Sequence, residues 1–186
     1  MITRMIKAKV EESMQKTLEK MRSDFGSLRT GRASSSLLEN IRVEYYGAMT
    51  PLNQLANIGA PEARTLEIRP WDKAAVQPIE KAILKSDLGL NPSNDGSMIR
   101  LQIPALTEER RKDLIKVVRK MAEEYRVALR NERREAVDQL KKSQKAKEIS
   151  EDDLSTAEQE VQKLTDAYVK KVDELLSAKE RDIMEV

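Results

Sequence analysis

The sequence predicts an α+β protein, an elongated three-helix bundle carrying an inserted small β/α/β domain, which together make a bent, L-shaped two-domain particle. Three patterns predict it. Apolar residues recur at helical spacing over long stretches toward both ends of the chain. A middle stretch alternates apolar and polar residues like half-buried strands. Glycine and proline stand where one pattern gives way to the other. The expected bundle takes residues 1–30 and 106–186, and the expected insert takes 31–105.

The elements follow in order. Ile6, Val10, Met14, Leu18, Met21, Phe25 and Leu28 are spaced by threes and fours, which predicts a helix over residues 2–29. Ile41–Tyr45, Thr65–Arg69 and Met98–Ile103 alternate like strands, and Asn94-Asp95-Gly96-Ser97 is a turn signal before the last of them. Ala74–Lys85 reads as a short helix with Pro78 near its start or at a kink. Tyr45 and Tyr46 are neighbours in a strand, so one should face the core and the other should lie outside. Trp71, the only Trp, is expected to close the core of the small domain. Leu154, Ala157, Val161, Leu164, Tyr168, Val172 and Leu175 follow a near-heptad spacing, and Ser150 supplies an N-cap ahead of three acids in the first turn.

Residues 106–145 form the most informative stretch. At about 100° per residue, Leu114, Val117, Val118, Met121, Tyr125, Ala128, Ala136 and Leu140 share one broad stripe. Lys112, Lys116, Arg119, Arg126, Arg130, Arg133, Arg134 and Lys141 fall on the opposite side. A charged face is ordinarily a solvated face, but solvated helices intersperse acids with bases. Only Glu108, Glu109 and Glu123 share this sector, and the first two sit where acids suit the helix dipole. The face is therefore suited to lie along phosphates. With almost no aromatic rings among its cations, it fits folded RNA recognised by shape better than a single strand. Glu132 falls beside the apolar stripe, among arginines. It lies where the bundle ends or pairs with a cation from another helix.

Composition excludes much chemistry. The 186 residues include no Cys and no His, which removes thiol nucleophiles, imidazole bases and the commonest zinc ligands. Residues 107–145 carry thirteen Lys/Arg against eight Asp/Glu, and residues 146–186 carry six against twelve. The last segment is an acidic counterweight that can orient the protein by repelling phosphate. The first ten residues lack the apolar core of a signal peptide, so the expectation is a cytoplasmic protein with no membrane span.

Gly26–Ala33 has the spacing of a phosphate-binding loop, but Arg32 and Ala33 stand where Lys and Ser/Thr would do the work, and a helix precedes it. Any nucleotide hydrolysis thus falls to a partner. The adjacent acid pairs, such as Glu123-Glu124, point in different directions on a helix and read as surface. Two crossings join insert and bundle, around Thr30-Gly31 and Pro104-Ala105. Gly31 offers φ freedom and Pro104 prevents simple strand continuation, so these four residues are the expected hinge.

Arg29-Thr30-Gly31-Arg32-Ala33-Ser34, Val43–Gly47, Ser86–Pro92, Leu106–Lys112 and Lys147–Asp153 together resemble the bacterial ribosome recycling factor family over essentially the whole chain. The resemblance implies a non-enzymatic, monomeric factor without a cofactor of its own. It would bind large-subunit rRNA of the post-termination ribosome. Elongation factor G would hydrolyse GTP, and together they would split the subunits and release mRNA and tRNA. It also implies rRNA contacts at Arg130 and Arg133, with Arg134 beside them. Arg126, Arg119 and Lys112 extend that row, and Arg29 and Arg32 match the family's basic joint. Arg110 and Arg111 match too but project away from the row. Two other classes fit the same helix: a scaffold indifferent to RNA, and a nonspecific RNA binder that takes duplex RNA as readily as ribosomes.

Overall fold

The computed structural model describes residues 1–185. It divides into two compact units, Met1–Arg22 with Ile115–Arg181, and Ser23–Leu114 with residues 182–185. Each division falls inside a helix.

The first unit is a bundle of three helices: α1 (Ile2–Gly26), α3 (Glu108–Lys145) and α4 (Glu151–Met184), each contributing most of its length. Val10, Met14, Leu18 and Met21 of α1 are buried, together with Val118, Ala122, Leu129, Ala136 and Leu140 of α3 and Ala157, Val161, Tyr168 and Val172 of α4. The buried face of α3 is rotated from the expected stripe by about 40° at 100° per residue. Ala122 and Leu129 are completely buried, whereas Val117 is 46% exposed. The stripe expected from spacing omits Ala122 and Leu129 and so lies too far to one side. The rotation brings Arg126 and Arg133 to the edge of the buried face, where both are only half-buried.

Backbone chemistry fixes the turn between α3 and α4. Glu148 N–H donates to Ser143 C=O and Lys147 N–H to Gln144 C=O, each at 2.9 Å. This pair closes the end of α3 as a Schellman motif, whose left-handed position is usually glycine. Lys147 occupies it with φ 60°. Helix α4 then starts on a reciprocal cap: Ser150 Oγ accepts from Asp153 N–H at 3.0 Å, and the Asp153 carboxylate accepts from Ser150 N–H at 3.2 Å. The Ser150 hydroxyl, and after it the Ser150 backbone N–H, hold the Asp153 carboxyl below the usual carboxylate range.

The second unit holds the strands. A hairpin of β1 (Arg42–Tyr45) and β2 (Ala48–Pro51) turns through Tyr46 and Gly47, both at positive φ. A four-stranded antiparallel sheet is ordered β3 (Ala56–Glu62), β4 (Thr65–Pro70), β6 (Ile99–Gln102), β5 (Pro92–Asn94). Helix α2 (Val76–Lys85) carries Pro78 in its first turn and buries Val76, Ile79 and Ile83. They join Val43, Leu66, Ile68, Ile99, Leu101 and Ile103 in one apolar core. The Asp95 carboxylate builds the turn before β6 by accepting from Ser97 and Met98 N–H, while Gly96 takes φ 92°.

Of the neighbouring tyrosines, Tyr45 packs partly against the core and Tyr46 is exposed. Tyr45 donates its hydroxyl proton to Asp72 at 2.5 Å, which pushes its pKa up to about 12. Trp71 does not close the core: it is 70% exposed, and the aliphatic residues of β4, β6 and α2 fill the interior without it. No helix is long and apolar enough to cross a membrane among the described residues.

Because Lys147 pays the steric cost of a left-handed residue, Lys147→Gly should stabilise the protein by about 0.5–1 kcal/mol despite adding a flexible residue. Urea denaturation monitored by helical circular dichroism would detect the shift. A destabilised variant would mean that the α3–α4 turn is not under backbone strain.

Candidate nucleic-acid interface

The predicted cationic residues do not form one uniform face. Three of them, Arg119, Arg126 and Arg133, are spaced by seven along α3, and they meet a matching row on antiparallel α4 in which Asp166, Asp173 and Glu180 are also spaced by seven. Arg119 pairs with Glu180, and Arg126 reaches Asp173 at 2.6 Å. Asp173 and then Glu123 raise the pKa of the Arg126 guanidinium, and Glu180 raises that of Arg119. The third rung differs: Arg133 donates to the side-chain carbonyl of Gln162 at 2.7 Å, and the Gln162 amide donates to Asp166 at 2.8 Å.

The remaining cations of the row point outward. Arg130 is exposed, and its ion pair among the described residues is with Glu123 of its own helix, at 3.2 Å. Arg134, Lys116 and Lys141 are exposed and form no ion pair among the described residues. Glu123 bridges Arg126 at 3.0 Å and Arg130, and these bonds hold its carboxyl below the usual range, Arg126 contributing most. Lys112, in the stretch of α3 assigned to the second unit, makes an i,i+4 pair with Glu108 at 3.1 Å. A groove of about 640 Å³ opens between α3 and α4 beside Arg133, Arg134 and Lys141.

Glu132 has neither of its expected environments. It lies within the bundle, where its carboxylate accepts from the Thr17 hydroxyl of α1 at 2.5 Å, and its second oxygen is buried without a partner among the described residues. Its partner is a neutral hydroxyl and not a cation, because Thr17 of α1 is the side chain that faces it inside the bundle.

The basic joint lies wholly in the second unit. Arg29 donates to Leu88 C=O at 3.3 Å, and Arg32 pairs with Glu185 at 3.2 Å and Asp182 at 3.8 Å. Thr30 is buried, while Pro104 and Ala105 are exposed. Gly31 takes φ 82°, and a Cβ there would stand 3.4 Å from Leu106 N and 3.8 Å from Pro104 O. Both crossings are tied to the β3–β4 turn: Ala33 N–H donates to Ala63 C=O and Ile103 N–H to Arg64 C=O, each at 2.7 Å. Arg111 donates to Leu106 C=O at 3.5 Å and keeps its Nε buried without a partner among the described residues.

Sequence reasoning places the cations and misses what faces them. It does not single out Gln162, Asp173 or Glu180. The signal that could have found them is the shared seven-residue spacing of the two rows, the pattern that sets charge pairs between packed helices. The acids of the last segment are therefore partners of the basic helix before they are a repelling surface.

A helical bundle that displays exposed cations along one helix, joined to a small sheet unit with no catalytic constellation among the described residues, has the character of a binding protein. Among known proteins, the family model for ribosome recycling factor matches residues 21–184, and the chain belongs to that family. It is similar to the ribosome-recycling factors of Syntrophomonas wolfei, at 59% identity over 95% of both chains, and of Clostridioides difficile, at 55% over 97% of this chain and 98% of the other. The factor of Shouchella clausii is 57% identical over 100% of both. A solution structure of ribosome recycling factor matches with a TM-score of 0.82 at 42% identity, covering 100% of this chain and 99% of the other. A second match is the T. thermophilus ribosome recycling factor bound, with E. coli elongation factor G, to the E. coli post-termination complex; it scores 0.71 at 51% identity over 98% and 99% of the two chains. The family is one of non-enzymatic translation factors, so the arginines hold and position and do not catalyse.

Arg126 crosses between helices with a side chain only 20% exposed, whereas Arg130 reaches only a neighbour on its own helix. Arg126→Ala should cost about 1 kcal/mol and Arg130→Ala under about 0.5 kcal/mol in chemical denaturation. Glu123, with its lowered carboxyl, lends stability that is fully present above the ordinary glutamate value of 4.5 and is lost as pH falls through the lowered value. Equal costs for the two arginines at neutral pH would contradict the division between ladder and outward cations.

Proposed function

We propose that this protein recycles ribosomes by anchoring its bundle on large-subunit rRNA of the post-termination ribosome, and that elongation factor G with GTP then drives subunit splitting and release of mRNA and tRNA. The observation that carries the anchoring is the exposed group Arg130, Arg134 and Lys141, with Arg133 held by an amide instead of a carboxylate. Exposed arginine and lysine contribute to RNA binding by displacing counterions from phosphates, and each phosphate so neutralised makes the affinity more salt-dependent. Family membership supports the ribosome as the target, and the related factor bound with elongation factor G supports the second partner.

Within this reading the cationic residues have unequal roles. Arg130, Arg133 and Arg134 touch phosphate, whereas Arg119 and Arg126 hold α3 against α4 and contribute to the field. Lys112, Arg29 and Arg32 belong to the joint, where Arg32 already has acidic partners. Thr30, Gly31, Pro104 and Ala105 serve as the hinge, supported by the left-handed Gly31 and by the exposure of Pro104 and Ala105. The protein works as a cytoplasmic monomer.

Light scattering of post-termination ribosomes tests the function directly: a fall that requires this protein, elongation factor G and GTP together is expected. Arg130→Ala with Arg133→Ala should weaken ribosome binding and flatten its log-log salt slope by about 0.7–0.9 for each phosphate that is no longer neutralised. Unchanged affinity and slope would refute the anchoring. Undiminished binding to bulk transfer RNA in place of ribosomes would favour a nonspecific RNA binder.

A further inference from the structure

We propose that Gln162 is a positioning residue that keeps Arg133 available to an RNA phosphate, and that the groove beside it is the phosphate's subsite. This rests on the reading of α3 as the rRNA-binding helix and names where on that helix one phosphate sits.

The charge ladder between α3 and α4 carries the inference. The spacing that sets Arg119 on Glu180 and Arg126 on Asp173 also sets Arg133 opposite Asp166. A third salt bridge is the obvious outcome. Gln162 prevents it by standing between the two, accepting from Arg133 at 2.7 Å and donating to Asp166 at 2.8 Å. The Asp166 charge is thus satisfied by an amide, and Arg133 keeps its full positive charge in a fixed direction.

This matters because of what a phosphate would have to displace. An arginine in a salt bridge must surrender a carboxylate, and with it the attraction between two full charges. Arg133 surrenders at most one bond to an amide, and the guanidinium has five N–H donors, of which Gln162 engages one nitrogen. The amide also limits the rotamers that must be frozen on binding.

The groove supplies the second observation. Its roughly 640 Å³ lie open where the ladder changes character, lined by Arg133, Arg134 and Lys141 together with Gln159 and Gln162. Asp138 and Glu158 also line it, so a diffuse anion gains little, and only one seated within reach of all three cations is held. An RNA backbone phosphate, whose oxygens accept from several donors at once, suits this arrangement.

The test is Gln162→Glu, measured as affinity for isolated large ribosomal subunits and as melting temperature. The new carboxylate should pair with Arg133 and weaken binding by about three- to tenfold while the melting temperature stays near the wild type, the gained pair offsetting the like charge set one turn from Asp166, and the loss of binding should vanish when Arg133→Ala is already present. Gln162→Ala, which frees Arg133 without adding charge, should weaken binding by a smaller factor. Wild-type affinity in Gln162→Glu, or the same loss in the Arg133→Ala background, would overturn the proposal. If Arg130→Ala with Arg133→Ala weakens binding but Gln162→Glu does not, only the role of Gln162 falls. If that double variant binds normally, the interface itself is elsewhere.

Discussion

The antiparallel register between α3 and α4 is the constraint on which the bundle's surface depends. Apolar burial is non-directional, so two apolar stripes by themselves specify less sharply which residues of the two helices stand opposite one another. The ladder is sharper: Arg126 meets Asp173 only at one register, and Arg119 meets Glu180 only at the same one. Each exposed rung is weak by itself, within about 0–1 kcal/mol. Rungs that agree on a single register nevertheless specify it, since a shift loses them together. The turn fixes the same register from the other end. Lys147 is forced into a left-handed conformation so that Ser143 and Gln144 are capped, and the Ser150–Asp153 cap begins α4 directly afterwards.

That register has a cost for recognition. A cation used to hold two helices together is no longer free to hold RNA. Arg119 and Arg126 lie on the same face of α3 as Arg130, and by composition the three are equivalent, yet only Arg130 projects into solvent without an α4 partner. The basic helix is therefore a structural strut over part of its length and carries cations without an α4 carboxylate over another part, and the change falls at the rung where Gln162 stands between Arg133 and Asp166. Glu132 marks the boundary on the opposite side. Its carboxylate is turned inward to Thr17, which keeps a negative charge out of the arginine cluster while leaving one buried, unpaired oxygen.

What the sequence revealed follows from which signals are local. The long helices announced themselves through spacing repeated over many turns, and β1, β4 and β6 through alternation, because each buries one face in a continuous core. β2, β3 and β5 left little trace. Ala48–Pro51 ends in proline, Ala56–Glu62 contains glycine and proline and carries a register shift, and Pro92–Asn94 is three residues long. β3 and β5 are the edges of the four-stranded sheet and β2 pairs only with β1, positions where poor strand formers are tolerated. Trp71 misled for a related reason: aromatic size suggests burial, but a core already filled by Ile79, Ile83, Ile99 and Leu101 leaves it outside.

The cations of α3 were legible and the partners that face them were not, and the reason is the same. One helix read alone shows which residues share a face; it does not show which of them a second helix will neutralise. That information was present in the chain, but split between segments some fifty residues apart and visible only when the two seven-residue rows are laid antiparallel. Net charge misdirects here, because the acids of α4 lower the sum without touching Arg130 or Arg134, while removing Arg119 and Arg126 from use. The quantity that governs phosphate binding is the number of guanidinium and ammonium groups lacking a carboxylate. On α3 that number rises toward the turn at Lys147, where Arg133, Arg134 and Lys141 gather around one groove.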